Sequence, residues 1–170
     1  MRSKFIQYYV EGEDDKEVVD ALKTNLGCIK SGKSQVLNVV TEKITPMHLR
    51  TLAPGTMVVL VFDTDAGNID ILKENIRTLQ KCSAVSEIVT IPQVPRLEIE
   101  LVRCCNINKI EELLNSRSAK DFKRDVMRVT NLGAKLREHK FNIDLFWNST
   151  APSPYQDIDN QATKVKIKKK

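Results

Sequence analysis

With 170 residues, 41% of them hydrophobic and 29% charged, the chain has room for one domain with a full core and not comfortably for two. No apolar run approaches the roughly 18 residues that a membrane span needs, and Met1-Arg2-Ser3-Lys4 leads directly into a strand-like segment rather than a signal-peptide core, so a cytoplasmic protein with no membrane attachment is expected. The net charge of +5 is uneven: residues 1–92 carry 11 Lys/Arg against 12 Asp/Glu, and residues 93–170 carry 16 against 10, which fits an acidic half beside a basic half that meets a polyanion.

In chain order, Phe5 to Val10 reads as a first strand. Val18, Val19, Leu22 and Leu26 then share one helical stripe behind an acidic start, and Gly27 closes that helix as a C-cap would. Val36 to Val40 is expected as the second strand. A short helix starts at Pro46, whose fixed φ suits a first turn, and Pro54-Gly55 ends it. Thr56 to Phe62 is continuously apolar, the pattern of a central parallel strand covered on both faces, and it runs straight into Asp63-Thr64-Asp65. Ile69, Leu72, Ile76 and Leu79 mark the next helix, and Val85 to Ile91 a fourth strand. This alternation predicts an α/β domain over residues 1–92, a doubly wound sheet of about four parallel strands.

Beyond Pro92 the spacing is helical. Leu97 to Cys104, Ile107 to Leu114, Phe122 to Val129 and Leu132 to Arg137 predict a C-terminal helical extension over residues 93–148, packed against one edge of the sheet. From Ser149 the Pro, Ser, Asn and Lys content, including Lys164, Lys166, Lys168, Lys169 and Lys170, predicts a disordered basic tail over residues 149–170. The four cysteines (Cys28, Cys82, Cys104, Cys105) form no CxxC pair, and His48 and His139 lie far apart, which argues against disulfides and structural zinc.

The chemistry gathers at strand ends. Glu11 follows the first strand and Asp63 the third, and in a doubly wound sheet ligands bind at the carboxyl ends of strands. Asp63 and Asp65 are two residues apart, so on an extended strand end their carboxylates point the same way. Such carboxylates repel unless a cation sits between them, and all-oxygen donors select magnesium or manganese. With Glu11 as a third ligand, the set predicts metal-assisted phosphodiester hydrolysis, catalysed by Glu11, Asp63 and Asp65. Lys30 and Lys33 are candidate contacts for nucleic acid phosphates, and Arg96 or Lys140 for the developing charge. Aromatic stacking on bases is poorly supported, because Phe5, Phe62 and Phe122 fall on core-facing positions.

Val10-Glu11-Gly12-Glu13-Asp14-Asp15 after a first strand, with Val61-Phe62-Asp63-Thr64-Asp65 after a buried third one, resembles the Toprim domain family. That family includes topoisomerases, bacterial primases, the overcoming-lysogenization-defect nucleases and the maturase of 5S ribosomal RNA. The resemblance implies that Glu11 is a metal ligand or general base and that Asp63 and Asp65 hold magnesium. In its nuclease branch it implies a second-metal role for Asp15 and a further acidic ligand at Glu98 or Glu100. Asp15 is equally a helix N-terminal acid, as Glu13 and Asp14 are, and Glu98 and Glu100 are equally exposed positions on an amphipathic helix. Without a tyrosine-bearing DNA-gate domain or a zinc-binding primase domain, a stand-alone magnesium-dependent nuclease is expected. Nucleotidyl transfer, a primase-like activity and silent nucleic acid binding are the alternatives, and a separate ATPase or a second copy of the chain are the candidate protein partners.

Gly27-Cys28-Ile29-Lys30-Ser31-Gly32-Lys33-Ser34 also matches the GxxxxGK[ST] phosphate loop residue for residue. A working loop of that kind follows a strand and opens a helix. Here the order is reversed, which favours a tight basic connection between helix and strand.

Overall fold

The computed structural model describes residue 3 and residues 5–167. Four strands, β1 (Phe5–Val10), β2 (Lys33–Val36), β3 (Thr56–Asp63) and β4 (Val85–Gln93), form a single sheet in the order β2-β1-β3-β4. Every pairing is parallel. Helices α1 (Glu13–Thr24), α2 (Pro46–Arg50) and α3 (Asp70–Gln80) fill the crossovers, followed by α4 (Leu97–Cys104), α5 (Glu111–Leu114), α6 (Ala119–Arg128) and α7 (Leu132–Glu138). Among the described residues no helix is long and apolar enough to cross a membrane.

Alternation along the strands sorts the core into two layers. Tyr8, Val10, Val59, Val61, Val89 and Ile91 face Val18, Val19 and Leu22 of α1. Tyr9, Val58, Leu60 and Phe62 face Leu72 and Leu79 of α3 on the other side. Both faces are therefore covered, which is why β3 is apolar throughout and buried from Thr56 to Phe62. The chain leaves β1 toward β2 and returns past β1 to form β3, so the winding reverses between β1 and β3. That reversal opens a crevice at their carboxyl ends.

Four expectations need correction. The second strand is Lys33–Val36, not Val36 to Val40. Leu37, Val39 and Val40 are buried without being a strand, because Asn75 of α3 supplies the missing backbone partners, donating to the Val39 and Glu42 carbonyls at 2.9 and 2.8 Å and accepting from the Ile44 amide at 2.8 Å. The helix expected from Ile107 shrinks to Glu111–Leu114. The helical extension lies over the α1 face rather than against an edge, since Leu97, Leu101, Leu113, Phe122, Val126, Leu132 and Leu136 join the same core cluster as α1.

The stretch from Ser149, expected as a disordered tail, is packed as far as Ile167. Ala151 and Tyr155 enter one core layer, and Ala162 and Val165 enter the other. The segment is anchored to β4 through Gln161, whose amide donates to the Thr90 carbonyl at 2.8 Å and whose side chain accepts from the Thr90 amide at 3.0 Å. An antiparallel bridge joins Ile29 to Lys166. Ala151, Tyr155, Ile158, Ala162 and Val165 recur at intervals of three and four residues, but Pro152 and Pro154 interrupt that pattern and the polar residues between them mask the burial. Lys168, Lys169 and Lys170 lie outside the described residues.

Candidate functional site

Glu11 is the first residue past β1, and its Oε2 accepts the backbone N–H of Asp63 at 3.0 Å. This bond ties the carboxyl ends of the two strands that flank the crevice. The Glu11 and Asp63 carboxyl groups also act on each other, the charge of Glu11 being the largest influence on Asp63 after burial. Gly12 caps α1, and Asp15, in the first turn, turns back so that its Oδ2 accepts the Gly12 amide at 3.1 Å. That bond satisfies a helix-end donor and leaves Oδ1 facing the crevice.

The residue that gathers these groups is Gln93, the last residue of β4, which is 1% exposed. Its Nε2 donates to Asp15 Oδ1 at 2.9 Å and to Asp63 Oδ1 at 2.8 Å. Its Oε1 accepts the indole N–H of the buried Trp147 at 3.1 Å, so the amide cannot turn over without losing all three bonds. The backbone beside it is pinned as well: Thr64 donates its amide to the Gln93 and Pro95 carbonyls at 3.1 and 2.8 Å and its hydroxyl to the Gln93 carbonyl at 2.9 Å.

Burial and crowding show in the acidities. Burial, followed by the charges of Glu11 and Asp15, pushes the Asp63 carboxyl up to about 9. Burial and then the charge of Asp14 push Asp15 up to about 7, against the opposing pull of the Gln93 hydrogen bond. Glu11 is raised by burial and by Asp65, with the Asp63 amide and the Lys123 charge acting the other way. Three acidic groups at one crevice are thus raised together, because burial and the charges of their acidic neighbours outweigh the hydrogen bonds and the Lys123 charge that act the other way.

The other expected residues divide. Asp65 stands at the crevice but is exposed, on the loop after Thr64, and it makes no hydrogen bond among the described residues. Glu98 borders the cluster, 3.7 Å from Arg96 Nε and 3.8 Å from Lys123 Nζ. Glu100 does not join it. Its side chain is fully buried, with Oε1 on Arg103 at 2.7 Å and Oε2 on the Val94 amide at 3.3 Å, so it braces the turn between β4 and α4.

Arg96 is thus near the carboxylates, whereas Lys30, Lys33 and Lys140 are not. Lys33 pairs with Gln7 at the amino end of the sheet, and four residues of strand, about 13 Å, separate that level from Glu11. Lys140 lies beside Leu26 and Cys28, beyond the far end of α1. The phosphate-loop match runs from the end of α1 into β2, the reverse of the order such a loop needs. Phe5 is 52% exposed rather than in the core.

Gln93, Trp147, Lys123 and Tyr155 have site roles that sequence reasoning missed. Gln93 alone carried a signal, a polar residue where an apolar strand ends level with Asp63. Tyr155 is fully buried and stacks on Phe62 with ring centroids 5.9 Å apart, and among the described residues its hydroxyl has no hydrogen-bond partner. Burial and the charges of Asp65, Glu11 and Asp63 raise its pKa.

Among the described residues no group of three or more His, Cys, Asp and Glu side chains is already arranged to hold a metal ion. The donor chemistry nevertheless fits a hard divalent cation. Glu11, Asp15, Asp63 and Asp65 are all oxygen donors, and the three whose pKa values are raised carry a mutual repulsion that a cation would relieve. Compared with known proteins, the chain matches no protein-family model, no curated protein and no solved structure.

Proposed function

We propose that the chain is a Toprim-like nuclease that hydrolyses phosphodiester bonds of DNA or RNA with magnesium or manganese held by Glu11, Asp63 and Asp65. The observation that carries this reading is the meeting of Glu11 and Asp63, 52 residues apart in sequence, at the crevice where the sheet reverses its winding. The cation, when bound, supplies charge that polarises the phosphoryl oxygen and acidifies a water. The remaining roles belong to the chain. Asp63 is fixed by its place at the end of β3 and by Gln93, and Asp15, held by the same amide, supports it from α1. Glu11, with its raised affinity for a proton, takes one from the attacking water at a carboxylate oxygen. Lys123 and Arg96, both beside Glu98, hold the phosphate backbone against the acidic crevice.

Incubation of the purified protein with magnesium or manganese and a panel of DNA, ribosomal RNA precursor and transfer RNA tests the proposal. Metal-dependent cleavage abolished by Asp63→Ala is expected. Cleavage that survives that change would count against it, incorporation of labelled nucleotides would replace it with nucleotidyl transfer, and retention without turnover would replace it with a binding module.

A further inference from the structure

A buried hydroxyl without a partner is expensive, and proteins rarely keep one without a use for it. Among the described residues only Tyr9 and Tyr155 have such hydroxyls. Tyr9 lies against His48, at a ring distance of 6.2 Å. Tyr155 lies at the crevice: its ring stacks on Phe62, the residue before Asp63, and the charges that act on its hydroxyl are, in order of strength, those of Asp65, Glu11 and Asp63. Glu11 and Asp63 already have partners in each other, in the Asp63 amide and in Gln93. Asp65 has no hydrogen bond among the described residues, and it sits on an irregular loop between Thr64 and the start of α3.

We propose that Tyr155 is the positioning residue for Asp65: when the site is loaded, the Asp65 carboxylate swings inward and accepts a hydrogen bond from the Tyr155 hydroxyl, which orients it toward the cation. This rests on the cation-binding part of the proposed function. It gives a purpose to an unpartnered donor and a partner to the one crevice carboxylate that lacks a hydrogen bond. It also explains why the C-terminal segment is folded back across the sheet, since Tyr155 is its largest buried side chain. The loop that carries Asp65 is open to solvent: Asp65, Gly67 and Asn68 are exposed, and a Cβ at Gly67 would meet nothing within 4 Å.

The test is manganese binding to the full chain by calorimetry, comparing wild type, Tyr155→Phe, Asp65→Ala and the double variant. Phenylalanine keeps the stack on Phe62, so thermal stability in a chelator should be equal to wild type or higher, a readout that separates positioning from folding. A hydrogen bond to a charged group corresponds to about ten-fold or more in affinity. The expected result is manganese affinity about ten-fold weaker in Tyr155→Phe, with little further change when Tyr155→Phe is added to Asp65→Ala. Undiminished affinity in Tyr155→Phe, or a loss that persists in full in the Asp65→Ala background, overturns the inference and leaves the proposed function standing. Absence of manganese uptake by wild type overturns both.

Discussion

Replacing Asp63 by asparagine should stabilise the protein while removing its activity. Asparagine is isosteric: its oxygen still accepts from Gln93, and its amide nitrogen becomes a donor facing the Glu11 carboxylate. The wild-type carboxyl is pushed up to about 9 in the folded chain, against about 3.9 for an ordinary aspartate. Between those values the folded state keeps a proton that the unfolded chain has released, so this group's contribution to stability falls as pH rises from about 4 to about 9. At pH 7 the gap is about three pKa units, a ceiling of about 4 kcal/mol at about 1.4 kcal/mol per unit. Asp63 is only partly buried, and solvent screening reduces the expected gain to about 1–3 kcal/mol. For a chain of this length that is a rise in Tm of about 3–10 °C at pH 7. The assay is thermal unfolding followed by circular dichroism in a chelator from pH 4.5 to pH 9, where the advantage of Asp63→Asn should grow with pH. With millimolar magnesium the order should invert, because only wild type gains ligand stabilisation. A variant less stable than wild type at pH 8 in chelator, or an advantage that does not change with pH, would refute the electrostatic reading of the crevice.

Gln93→Leu keeps the volume and deletes three hydrogen bonds in a buried setting, leaving the Trp147 indole N–H without an acceptor. A loss of about 2–4 kcal/mol in urea unfolding is expected, and a loss below about 1 kcal/mol would mean that the amide does not organise the site. Lys123→Glu should raise the KM for nucleic acid about ten-fold, with a shallower salt dependence. Lys30→Ala with Lys33→Ala should leave KM within about two-fold, since both lysines lie at the opposite end of the sheet. A larger effect from the Lys30 and Lys33 pair than from Lys123 would place the substrate on the wrong end of the sheet.

The parts of the fold that were legible in sequence are those where one physical constraint dominates. β3 must be apolar because both its faces are covered, and α3 shows its stripe because only one side is covered. Once those were placed, Glu11 and Asp63 followed from where strands end. The parts that failed depend on contacts between distant residues. Val36 to Val40 looked like a strand because nothing local reveals Asn75 supplying the backbone partners beyond Val36. Glu98 and Glu100 looked equivalent, and only the position of Arg103 separates the bracing residue from the one beside the site. Tyr155 was lost in a segment whose composition is polar and whose few apolar residues, though spaced three and four apart, are interrupted by Pro152 and Pro154.

The same distinction divides the site itself. The two-residue spacing of Asp63 and Asp65 aligns their side chains only while the chain stays extended, and the structure ends that condition between them. Asp63 keeps strand register, opposite Gln93. Thr64 then diverts its amide to the Pro95 carbonyl, and from Asp65 the chain belongs to a loop. One aspartate is therefore held by the sheet, the element least able to move, and the other must be positioned by something outside the sheet. A cation bound between them would meet one rigid ligand and one adjustable one. Its affinity then depends on how well the adjustable side chain is held, and Tyr155, whose hydroxyl feels the Asp65 charge, supplies an unused buried hydrogen-bond donor for that purpose.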